Sequence, residues 1–183
     1  MTTGFQIYDQ SATYFLTFQV VEWVDIFTRP HYKEIITNSF DYCRKEKGLQ
    51  LNGYVIMTNH LHLIASTRNG FLLSDTIRDF KKFTANNLLA EMKNLSESRR
   101  DWILKRFEFA AQRHKRNSNY QIWTHENHAV ELYSRDFLVQ KLNYIHMNPV
   151  RAGIVYNPED YVYSSARNYA GLPARLQIDL LEL

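Results

Sequence analysis

Apolar and β-branched residues crowd positions 49–67, with one break at Thr58-Asn59. This pattern reads as two strands, 49–57 and 60–67, folded tightly back on each other as a hairpin. Within the second strand stands His60-Leu61-His62. Residues two apart on a strand point to the same face, roughly 6.5 to 7 Å apart along the chain, so both imidazoles leave one side and Leu61 the other. Two imidazoles so placed can converge on one metal ion. Taken alone the spacing is also met by ordinary packed or surface histidines, and the rest of the chain has to decide.

The surrounding elements follow from local pattern. Residues 13–24 are rich in aromatic and β-branched side chains and predict a strand. Pro30 opens a helix to about residue 47, closed by Gly48. A second helix is expected over 75–93, capped by Ser74, with Ile77, Phe80, Phe83, Leu88 and Met92 along one side and Lys81 and Lys82 off it. Residues 96–116 read as a basic helix, 120–130 as extended chain, and 134–147 as a helix that Ser134 caps and Pro149 stops. From about residue 156 the chain reads as irregular, with one short helix. The order β-α-β-β-α with an added helix, strand and helix predicts an α+β domain in which helices pack on an antiparallel sheet.

At 183 residues the chain suits one domain, large enough to bury a core without disulfides. The lone cysteine, Cys43, excludes an intramolecular disulfide and a cysteine metal cluster, and helical spacing reads it as packed and inert. No apolar run approaches a membrane span and no secretory signal is visible, so the expected setting is the cytoplasm, away from membranes. The net charge of +3 is modest, but cations cluster at Lys81-Lys82, Arg99-Arg100, Lys105-Arg106 and Arg113-His114-Lys115-Arg116. Such clusters form either a solvated helix face or a phosphate-binding stripe that works by counterion release.

Tyr144 and Asn148 lie four apart near the end of the last long helix and therefore share a face. His146 points elsewhere and reads as a structural or surface residue. If that face packs on the His60/His62 side of the sheet, two imidazoles and one amide oxygen would hold a divalent ion, and the phenol would stand close enough to attack a bound phosphate. A phenol is protonated at neutral pH and needs activation, which a cation beside the phosphate can supply. Attack by tyrosine exchanges one phosphate ester for another, so a cut strand could be rejoined without ATP. His125 and His128, three apart, do not suit one strand face and are not read as ligands. Arg151 serves equally as a phosphate contact or as a cation complementing the helix dipole.

These residues carry a resemblance. His60-Leu61-His62, the run Tyr-Ile-His-x-Asn-Pro-Val-x-Ala-Gly-Ile-Val at 144–155, and Pro158-Glu159-Asp160-Tyr161 followed by Ser164-Ser165 resemble the single-tyrosine HUH transposases. The closer likeness is to the REP-associated tyrosine transposases, and it spans about residues 14–166. It implies a ferredoxin-like (RRM-like) sheet of HUH endonuclease type, with the histidines on a central strand. It also implies cleavage of single-stranded DNA through a 5′-phosphotyrosine with release of a 3′-hydroxyl. Carried over by residue, Tyr144 matches the nucleophile, His60 and His62 the metal ligands, and Asn148 the third ligand. The metal implied is Mg²⁺ or Mn²⁺, whereas two imidazoles by their own chemistry favour Mn²⁺ or Zn²⁺. Asn59 and Thr58 depart from the relatives' pattern without removing a functional group, and Phe83 offers no second nucleophilic hydroxyl.

The chain is therefore expected to form one transposase domain over 1–183, with a basic helical insertion at about 96–117 and an irregular tail from about 156. Single-stranded or hairpin DNA is the expected partner, contacted by Lys81, Lys82, Arg113, Lys115, Arg116 and Arg151. A monomer and a homodimer both fit. The leading function is a nicking and rejoining enzyme. A domesticated, non-catalytic binder of structured single strands and a phosphoesterase in which water attacks are the alternatives.

Overall fold

Four antiparallel strands in the order β2-β3-β1-β4 form the sheet of the computed structural model, which describes residues 6–94, 98–113 and 119–182. Strand β1 is Tyr14–Gln19, β2 Leu49–Ile56, β3 His60–Thr67 and β4 Val130–Glu131. The helices are α1 (Pro30–Glu46), α2 (Leu73–Asn94), α3 (Arg100–Gln112), α4 (Arg135–Arg151) and the short α5 (Ala166–Tyr169). This is the α+β architecture that the element order predicts, with β3 between β2 and β1.

Alternation along the strands sorts the two sheet faces. Tyr14, Leu16 and Phe18 on β1, Leu61 and Leu63 on β3, and Tyr54 on β2 are all buried, and this face receives α1 and α2. Phe80 of α2 stacks on Phe40 of α1 with ring centroids 4.6 Å apart and touches Phe18 at 5.8 Å. Each such ring taken fully out of water stabilises the fold by about 1.5–3 kcal/mol. Helix α1 ends where Gly48 takes φ +66, and a Cβ there would lie 2.3 Å from the Phe71 ring, so both backbone and packing require glycine.

The opposite face receives α4. It comes close at Gly53, where an added Cβ would stand 2.8 Å from Leu142 Cδ1. The register of β2 against β3 shifts between Leu51 and Gly53, a bulge at Asn52 that turns Gly53 and Val55 toward α4. The C-terminal segment covers the free edge of β2. The Ser165 amide donates to Tyr54 O, Ile56 N–H donates to Tyr163 O, and Asp179 accepts from Leu51 N–H. A covered edge cannot recruit a stray strand.

Four boundaries differ from the sequence expectation, one of them the basic helix, which runs Arg100–Gln112 instead of 96–116. The first strand ends at Gln19 rather than near residue 24, because Glu22 and Trp23 adopt φ 54 and turn the chain through a short 3₁₀ segment, Val21–Trp23. The stretch 120–130 meets β1 at separate points, through Thr124 N–H to Gln19 O and Thr17 N–H to Asn127 O, and only Val130–Glu131 is regular strand. Helix α4 runs through Pro149 instead of stopping before it. Proline there forfeits one helical donor, yet its side chain is buried and the last turn is closed beyond it by Gly153 at φ +69.

Candidate active site

Strand β3 places His60 and His62 on the α4 side of the sheet, with ring centroids 4.8 Å apart. Leu61 between them is wholly buried on the other side. Register sets their neighbours: Thr17 of β1 and Val55 of β2 flank His62, and Gln19 lies opposite His60. Helix α4 anchors over this face through the buried Leu142 and Ile145, which turns Tyr144 toward the histidines. The Tyr144 ring lies 5.3 Å from His62 and 5.9 Å from Phe15, while remaining 38% exposed. Phe15 stacks on His62 at 5.2 Å, so the phenol and imidazole lean on a common aromatic floor.

Each histidine is held by its Nδ1. Asp25 accepts a hydrogen bond of 3.0 Å from the Asn59 amide nitrogen, which turns the Asn59 oxygen to accept from His60 Nδ1 at 2.8 Å. That chain assigns the proton of His60 to Nδ1 and leaves a lone pair on Nε2. The Thr17 hydroxyl sits 2.9 Å from His62 Nδ1, again leaving Nε2 for other work. Fixing one ring nitrogen so that the other presents its lone pair is how proteins orient metal-ligating histidines. Burial pushes the His60 pKa down, partly opposed by Asp25. Burial, then His60 and Lys141, push His62 down to about 3. Both rings are thus neutral at neutral pH, the form that can ligate.

This chemistry fits a divalent cation on His60 and His62. Among the described residues no group of three or more His, Cys, Asp and Glu converges, so further protein ligation has to come from another donor type. Asn148 is one turn beyond Tyr144 on α4, and its amide nitrogen makes a long 3.5 Å contact to the Tyr144 carbonyl. Two cations flank the phenol on the same helix. Lys141 Nζ lies 5.7 Å from the Tyr144 ring centre and 4.8 Å from that of Phe15, and the Arg151 guanidinium lies 5.4 Å from the Tyr144 ring.

The other expected DNA contacts are scattered. Lys81 is turned inward, donating to Thr124 O at 2.7 Å and Asn127 Oδ1 at 2.8 Å, and burial lowers its pKa to about 8. It ties the irregular 124–127 stretch to α2. Lys82 is exposed. Arg113 pairs with Glu22 at 2.8 Å, and Lys115 and Arg116 lie outside the described residues. His146 bonds Ser165 Oγ at 2.8 Å and takes no part in the site, as its position on α4 requires. Cys43 is buried, and burial raises its thiol pKa to about 11. Sequence reasoning missed Thr17, Asp25 and Phe15 as supports of the histidines. Only strand register and the turn at 57–59 bring them there, and no local pattern signals either.

A four-stranded antiparallel sheet with an imidazole pair facing a helix-borne tyrosine defines a fold and a site together. A sequence profile described as "Transposase IS200 like" matches residues 10–109, more than half of the chain. The chain belongs to this family of IS200-like transposases. The matched region contains His60 and His62 and ends before α4. Among solved structures, one described as a REP-associated tyrosine transposase bound to a REP hairpin is similar over 100% of this chain and 95% of its own, with TM-score 0.68 and 17% identity. A candidate transposase from Deinococcus radiodurans R1 covers 79% of this chain and 95% of its own, with TM-score 0.46 and 16% identity. No curated protein matches.

Proposed function

We propose that this transposase cuts and rejoins single-stranded DNA at hairpin structures through a covalent 5′-phosphotyrosine on Tyr144, and that within its family it groups with the REP-associated tyrosine transposases. The observation that carries the proposal is the approach of the Tyr144 ring to His62, on a helix far away in sequence. In the reaction, Tyr144 Oη forms a bond to phosphorus, the bond from phosphorus to the 3′ oxygen breaks, and the phenolic proton ends on the released 3′-hydroxyl. Attack of a 3′-hydroxyl on the phosphotyrosine reverses these steps and restores Tyr144. One ester replaces another throughout, so rejoining needs no external energy source.

His60, His62 and Asn148 would hold a divalent ion, Mg²⁺ or Mn²⁺. When bound, such an ion draws charge from the phosphate oxygens and favours the phenolate. Asp25, Asn59 and Thr17 keep the imidazoles oriented. Lys82, Arg113, Lys115, Arg116 and Arg151 neutralise phosphates along the strand, while Lys81 shapes the surface by holding the 124–127 stretch. We read residues 1–183 as one transposase domain, with the α3 region as a basic insertion, a tail from about 156, and a working site in the cytoplasm. A monomer or a homodimer is compatible with this reading.

The test uses a labelled strand carrying a hairpin and a single-stranded flank. Wild-type protein with Mn²⁺ is expected to form a denaturation-resistant adduct that maps to Tyr144. Tyr144→Phe removes one oxygen, leaves ring packing on Phe15 in place, and should abolish the adduct while hairpin binding persists. An adduct on another tyrosine, or normal nicking by Tyr144→Phe, overturns the assignment. Hairpin binding by the wild type without any adduct would favour a domesticated binder.

A further inference from the structure

Helix α3 carries a surface that the catalytic reading leaves unused. Its core side is Ile103, Phe107, Ala110 and Ala111. Next to that side, Trp102, Arg106, Phe109 and Arg113 follow one another at spacings of four, three and four, which lines them up as a single stripe along the helix. Trp102 and Phe109 are each 48% exposed, although neither is needed to bury the helix. Each is paired with a guanidinium: Arg106 lies 5.4 Å from the Trp102 ring centre and Arg113 4.2 Å from that of Phe109. The stripe therefore alternates a flat apolar face with a cation, twice, over about 16 Å of helix.

Charge points the same way. Residues 99–113 hold five cations (Arg99, Arg100, Lys105, Arg106 and Arg113) against Asp101 and Glu108, a net charge of +3 on this segment. At its C-terminal end Arg113 joins Glu22, the neighbour of Trp23. Trp23 is 60% exposed, held at φ 54, and lies edge-on to His60 at 6.3 Å. A left-handed backbone at a bulky residue is strained and persists where the surroundings impose it. The Asn59 amide, donating to the Trp23 carbonyl, is one such constraint. The stripe thus ends beside a third exposed ring, which itself borders His60.

The geometry points to α3 as a binding track for the single-stranded flank of the DNA substrate, with Trp102 and Phe109 stacking on unpaired bases and Arg106 and Lys105 meeting the phosphates between them. Rings accept any base through its π-face, and cations between them follow the backbone, so an unpaired polyanion with planar groups matches this surface. A duplex keeps its bases stacked inside and offers the rings nothing. The inference rests on the proposed action at single strands, and deepens it by assigning where the strand runs.

Binding and chemistry are tested apart. In a Tyr144→Phe background, Trp102→Ala and Phe109→Ala are compared with their parent on three DNAs: a hairpin with a single-stranded flank, the same hairpin without it, and a plain duplex. Each ring removal is expected to weaken binding of the flanked hairpin by about 5- to 150-fold and to leave the other two unchanged. Lys105→Gln with Arg106→Gln retains both rings and should flatten the salt dependence on the flanked DNA by about two phosphate contacts. Equal thermal melts confirm that the variants are folded, and the charge variant decides the matter if a ring variant is not. Unchanged affinity and salt slope overturn the track, as does an equal loss on all three DNAs, which would make α3 a duplex-backbone contact. Adduct formation by the wild-type chain is scored separately, so its absence strikes the phosphotyrosine reading and leaves the binding result standing.

Discussion

His62 and His146 are imidazoles taken out of water for different ends. His62 faces the helix-borne phenol with its Nδ1 on Thr17, whereas His146 ties α4 to Ser165 and packs against Tyr169. Burial lowers both pKa values, to about 3 for His62 and about 4 for His146. The sign of the pH effect follows. Above pH about 6.5 both rings are neutral whether folded or unfolded, and titration costs nothing. Below it the unfolded chain takes up protons that the folded chain refuses, so stability falls as pH drops from 6.5 toward 4. His146→Gln keeps a partner for Ser165 and removes one titrating group. Urea midpoints measured from pH 7 to pH 4.5 should fall less steeply for this variant than for the wild type. Parallel curves would show that His146 does not contribute.

At the scale of elements, α4 is the piece that completes the site, and Gly53 sets how near it comes. The close approach to Leu142 means that Gly53→Val forces either the leucine or the helix outward. Overpacking of this kind costs about 1–3 kcal/mol. Leu142→Ala alone leaves a cavity, but combined with Gly53→Val it opens the room the valine needs. A double-mutant cycle in urea should therefore show the pair less destabilised than the sum of the single changes. Strict additivity would mean that strand and helix do not meet at this point. The same helix tolerates Pro149 because a proline near its end sacrifices one hydrogen bond while its ring fills a buried position.

Across the whole molecule, Tyr144 meets His62 within one chain, and the C-terminal segment closes the β2 edge of the same chain. On the proposed function, a site assembled this way takes its tyrosine from its own chain. Mixing Tyr144→Phe with His62→Ala, each expected to be inactive alone, should not restore adduct formation, because neither chain holds a complete site. Recovery of about a quarter or more of wild-type adduct would instead show α4 exchanged between two copies. No described helix is long and apolar enough to cross a membrane.

Much of this was legible in local pattern. Period-two alternation alone puts His60 and His62 on one face, helical spacing alone aligns Tyr144 with Asn148, and α1, β2 and β3 fall within a residue or so of where glycine, proline and apolar runs place them. Such signals act over a few residues, and a sequence displays them directly. The juxtaposition of the two halves of the site was legible only as a condition, through a resemblance whose motifs lie some eighty residues apart. Tertiary structure alone decided that Thr17 stands opposite His62, that Asp25 reaches His60 through Asn59, that Lys81 turns inward to hold 124–127, and that the first strand breaks at Val21–Trp23. The physical reason is shared by all four. Register, a buried amine's choice of acceptor and a strained turn are set by partners distant in the chain, whose contacts outweigh the weak propensities of the residues themselves.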